Sequence, residues 1–69
     1  MIPHNYSDWL RCITIDCGIR LTPEFIAERL RELSDEKHPK TIEFTRLYSQ
    51  QHRENVIHWF KKAQTETHA

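Results

Sequence analysis

Residues 22–33 read TPEFIAERLREL, a stretch that carries its own helix start. Thr22 is a good N-cap, because its hydroxyl can accept one of the first unpaired helix N–H groups. Pro23 falls at the first helical position, where a missing N–H is harmless and the fixed φ already suits a helix. Glu24 sets a negative charge against the positive end of the helix dipole. Phe25, Ile26, Leu30 and Leu33 then recur at helical spacing, while Glu28, Arg29, Arg31 and Glu32 take most of the remaining surface.

Helical signals extend outward in both directions. Ser7 is a candidate N-cap and Gly18 a candidate left-handed stop; between them Trp9, Leu10, Ile13 and Cys17 share one helical face. A strand competes here, since Ile13–Ile19 alternates with period two and is β-branched. No second strand is evident, so such a strand would need an intermolecular partner, and the cap and stop signals favour a helix. Downstream, Ser34–Pro39 is a polar connection, and the helix should end before His38 because the residue preceding a proline resists the α region. Pro39 or Thr41 opens another helix bearing Ile42, Phe44, Leu47 and Tyr48. Ser49–Asn55 lacks large apolar residues before Val56, Ile57, Trp59, Phe60 and Ala63 resume an apolar face. Residues 40–64 therefore form either one long helix or two, and a break near Ser49, which would cap the second, is the favoured reading. The polar tail from about residue 64 is expected to fray.

The predicted fold is all-α, one small bundle of three or four helices spanning residues 1–69. Its expected core is Trp9, Ile13, Phe25, Ile26, Leu30, Leu33, Leu47, Tyr48, Val56, Ile57 and Phe60. A core this small rarely supplies more than about 3–5 kcal/mol of net stability. Seven aromatic residues therefore imply either dense packing or an aromatic surface covered by a partner. A single glycine and three prolines argue against a turn-rich β fold.

Net charge is zero, yet residues 1–36 carry −3 and residues 37–69 carry +3, a split that can favour head-to-tail association. The opening MIPHNYSDW has no basic region followed by an apolar run, and no stretch approaches the roughly 20 apolar residues of a membrane span. Cys12 and Cys17 are five apart, beyond disulfide reach on an α-helix. Two reduced cysteines suit the cytoplasm, which is the expected location.

Chemistry-bearing patterns are sparse. His52 and His58 fall on different helical faces, and Cys12-x4-Cys17 lacks the paired short spacings of a zinc site. No phosphate loop, Gly-x-Ser-x-Gly elbow or His-Glu-x-x-His is present. The expectation is a chain without catalytic, cofactor or metal sites.

Thr22–Leu30, and Phe25–Leu30 in particular, resembles the first helix of a helix-turn-helix unit. The resemblance implies a DNA-binding regulator in which Lys40, Arg46, Gln50 and Arg53 meet bases or phosphates. Against it, the turn glycine is absent, Ser34–Pro39 is too long for the usual turn, and zero net charge is a weak electrostatic footprint. The preferred expectation is a non-catalytic protein-interaction module that forms a homodimer, with Trp59 and Lys62 as partner-binding residues. Trp59 and Phe60 point about 100° apart on a helix. Trp59 therefore either anchors an interface at the core margin or completes a wide buried stripe.

Overall fold

The computed structural model describes residues 3–67. Among these are four α-helices and a π turn, with no strand: α1 (Tyr6–Arg11), the π turn (Cys12–Asp16), α2 (Pro23–Ser34), α3 (Pro39–Tyr48) and α4 (Gln50–Thr67). The all-α expectation holds, and the strand reading of Ile13–Ile19 does not. The radius of gyration, 11.6 Å, is close to the roughly 11 Å of a compact chain of this length.

The first helix starts earlier than the sequence suggests. Asn5, not Ser7, is the N-cap, its side-chain oxygen accepting from the Asp8 amide at 2.8 Å. Asparagine caps as well as serine does, and the earlier start carries Tyr6 into the helix, 5.9 Å from the Trp9 ring. Thr14 then donates its hydroxyl to the Leu10 carbonyl at 2.7 Å, a back-bond that bends helices. Its β-branched neighbours Ile13 and Ile15 add crowding, and the ladder widens to a π turn in which Cys17 N–H donates to the Cys12 carbonyl at 2.9 Å. Gly18, at φ 67°, ends the turn as the expected left-handed stop.

α2 begins as read from sequence, with the Thr22 hydroxyl accepting from the Phe25 amide at 3.1 Å. α3 starts at Pro39 rather than Thr41, because His38 serves as N-cap through Nδ1, which accepts from the Lys40 amide. The break at Ser49 is real: this residue has φ 89° and its hydroxyl accepts from the His52 amide at 3.3 Å. Residues 64–67 do not fray but continue α4, and the Tyr6 hydroxyl donates to the Glu66 carboxylate. The rest of the predicted tail, residues 68–69, lies outside the described residues.

Trp9, Ile26, Leu33, Val56, Trp59, Phe60 and Ala63 form the buried core, with Ile13, Phe25, Leu30 and Ile57 half-buried against it. Trp9 meets the Phe60 ring edge-on at 4.8 Å. Two expected core residues are displaced: Leu47 is 61% exposed and Tyr48 43%. Two polar residues take part of the interior instead. Thr41 and Arg53 are buried near the C-terminal end of α2, where the last carbonyls lose their regular helical partners and the Glu32 carbonyl accepts from the Asp35 amide at 3.1 Å. The Thr41 hydroxyl donates to the Glu32 carbonyl, and Arg53 Nη1 donates to the Leu33 carbonyl at 2.9 Å. A cation there also complements the helix dipole.

Replacing Arg53 by methionine should keep the stem packing but remove this charge-assisted bond, destabilising the fold by about 2–3 kcal/mol in urea titration. Thr41→Val should lose about 1–2 kcal/mol by the same route. Unchanged midpoints for both variants would remove the two side chains from the stabilising frame.

Candidate interaction groove

α2 packs on α4, and α3 rests on both. α1 and the π turn approach the core from another side, leaving a groove of about 470 Å³ between them and α3. Trp9, Ile13, Leu33, Val56 and Phe60 contribute its apolar floor. The opposite wall is aromatic. Phe44 lies 5.0 Å from Tyr48 and stacks on His52 at 5.7 Å with 7° between planes, and His52 meets Trp59 edge-on. Leu47 lies exposed on α3 next to this wall in sequence.

Cations flank the apolar surface. Arg29 lines the groove, is bound to Glu32 at 2.8 Å and lies over the Phe25 ring at 5.6 Å. Lys40, on the first turn of α3, lines it as well. His52 has its pKa lowered, by burial first and then by the charge of His4. On the far side of α1, Lys62 Nζ stands 4.5 Å from the Tyr6 ring centroid, a cation–π contact. Burial, followed by the hydrogen bond and charge of Glu66, pushes the Tyr6 phenol up to about 12.

Of the expected partner-binding pair, Trp59 is buried and Lys62 exposed. Trp59, at 7% exposure, completes the core rather than standing at its margin, because His52 and Trp9 enclose its ring. Lys62 is exposed but engaged with Tyr6. The four residues of the DNA-binding alternative are split by the Ser49 break. Lys40 and Arg46 lie on α3, Gln50 and Arg53 on α4. Arg46 binds both Glu43 oxygens, at 3.1 and 3.2 Å, and Arg53 is consumed by the Leu33 carbonyl and Glu36. Arg53 therefore cannot contact a phosphate without leaving the core. Its position was readable in principle, since Arg53, Val56, Phe60 and Ala63 follow the spacing of one buried helical stripe.

Among the described residues, no group of three or more His, Cys, Asp or Glu side chains is placed to hold a metal ion. No described helix is long and apolar enough to cross a membrane. Comparison with family models, with curated proteins and with solved structures found no match.

Two pH dependences follow from the shifted groups. His52 takes up a proton less readily when folded, so its stabilising contribution is complete above pH 6.5 and declines as pH falls below that value. Substituting His52→Gln should flatten the acid side of a stability profile measured by urea midpoint; an identical slope would contradict the assignment. Tyr6 behaves oppositely: its contribution is complete below pH 10.0 and is lost as pH rises toward about 12. Tyr6→Phe should remove that alkaline loss, read by the same titration.

Proposed function

We propose that this chain is a non-catalytic protein-interaction module that self-associates through the groove beside α3, in a reducing cytoplasm. The observation that carries the reading is the apolar groove itself, open to solvent, with Tyr48 on its wall and the exposed Leu47 next to Tyr48 in sequence. Isolated exposed apolar side chains are ordinary, but a concave apolar surface flanked by aromatic residues is typical of an interaction site. A second copy is the occupant favoured by charge. The chain is neutral overall, yet its first 36 residues carry −3 and the remainder +3, so two copies can set unlike halves together.

The DNA-binding alternative draws support from the exposed Lys40, Arg46 and Gln50, and loses it at Arg53, whose guanidinium is buried in the fold. It makes a separate prediction, that a duplex would bind with steep salt dependence.

Sedimentation equilibrium should reveal a dimer at micromolar concentration. Leu47→Asp, at a position too exposed to disturb the core, should weaken it by more than tenfold, about 1.4 kcal/mol. A strict monomer at high concentration would overturn self-association. A salt-sensitive, sequence-selective shift of duplex DNA at nanomolar protein would replace the reading with the DNA-binding one.

A further inference from the structure

The π turn changes what its two cysteines can do. On a regular α-helix, residues five apart are separated by about 7.5 Å of rise alone, outside the roughly 4.4–6.8 Å between Cα atoms that a disulfide accepts. In a π turn residue i+5 stands over residue i much as i+4 does in an α turn. The Cα atoms are then about 6 Å apart, which is within disulfide range, and the Cβ atoms about 5–6 Å apart, which must close by about 1 Å for the bond to form. The amide of Cys17 donating to the carbonyl of Cys12 at 2.9 Å fixes that stacking for this pair. Gly18 then turns the chain at φ 67°, and Ile19 N–H closes on the Ile13 carbonyl at 2.9 Å, so Cys17 is held by bonds on both sides.

From this geometry we infer that Cys12 and Cys17 form a dithiol site that a small-molecule disulfide oxidises reversibly to an intramolecular disulfide across the π turn. Both thiols are free, Cys17 exposed and Cys12 half-buried in the groove lining. Desolvation first, then the charge and hydrogen bonding of Cys17, raise the Cys12 thiol above its ordinary value. Cys17, the exposed thiol, is the first that a solution disulfide can reach, and Cys12 the one that resolves.

The steps balance with glutathione disulfide as the oxidant. The Cys17 thiol gives its proton to solvent, and its sulfur attacks one glutathione sulfur. The glutathione S–S bond breaks, and the departing thiolate takes up a proton. Cys12, on losing its own proton, attacks the Cys17 sulfur of the mixed disulfide. The Cys17–glutathione bond breaks, and the second glutathione leaves as thiolate and is protonated. Two electrons pass from the protein to the oxidant, one disulfide replaces another, and two glutathione thiols are released.

The full chain supplies a direct readout. Trypsin cleaves after Arg11 and Arg20, releasing CITIDCGIR with both cysteines in one peptide. The protein is equilibrated in glutathione redox buffers, folded and in urea, then acid-quenched, alkylated, digested and weighed. The expected product is this peptide lighter by two hydrogen masses and unalkylated. Its effective concentration against glutathione should be about tenfold higher in the folded chain than in urea. By linkage, oxidation must then raise the urea midpoint of the folded protein. Cys17→Ser, which leaves Cys12 alone, should give only a glutathione adduct or free thiol. An effective concentration equal to or below that in urea, or disulfide-linked dimers as the main product, would overturn the inference.

Discussion

The bundle depends on how the C-terminal end of α2 is finished. A helix end leaves its last carbonyls short of helical partners; Ser34 and Asp35 face solvent, but Leu33 is buried, so its carbonyl needs a donor from the protein. Thr41 from α3 reaches the Glu32 carbonyl, and Arg53 from α4 reaches the Leu33 carbonyl. Two bonds from two different helices onto adjacent carbonyls fix where α3 and α4 stand relative to α2. The Arg53 stem adds packing, and its charge complements the helix dipole. Hydrophobic burial drives the collapse of such a chain, but it is non-directional. The polar bonds at this corner select one arrangement of the three helices.

A second tie acts at the opposite end of α4. The Tyr6 ring lies under Lys62 and its hydroxyl donates to Glu66, so α1 is held against the last turns of α4 while Trp9 inserts between Trp59 and Phe60. The two ties draw α1 and α3 toward different parts of the core. The space left between them is the groove. Its apolar floor is the edge of the core, where Trp9, Leu33, Val56 and Phe60 are themselves almost wholly buried.

Much of this was legible in the sequence. Thr22-Pro23 signals α2 and Gly18 the left-handed stop, because each is a local signal with a direct physical reading, whereas in the sequence one continuous helix competes with the break at Ser49. Asn5 was passed over for Ser7 because both are good caps and only tertiary packing of Tyr6 on Trp9 decides between them. The π turn was hidden as well. It coincides with a hydroxyl back-bond from Thr14 and a β-branched run, features that the apolar period does not report. Trp59 and Arg53 are both buried, for a related reason. Sequence pattern treats an arginine as surface and an extra tryptophan as surplus, whereas a buried helix end needs a donor and a small core needs volume. The groove had no sequence signature, since it is made by the spacing between helices rather than by a motif.

If the groove is where copies meet, the meeting should be visible residue by residue. An NMR concentration series on the isotopically labelled chain tests this most directly. The account predicts progressive amide shifts at Phe44, Leu47 and Tyr48 on α3 and at Cys12 and Ile13 across the groove, with the outer face of α2 at Glu24 and Glu28 unchanged. Shifts confined to that outer face, or none at any concentration, would contradict it.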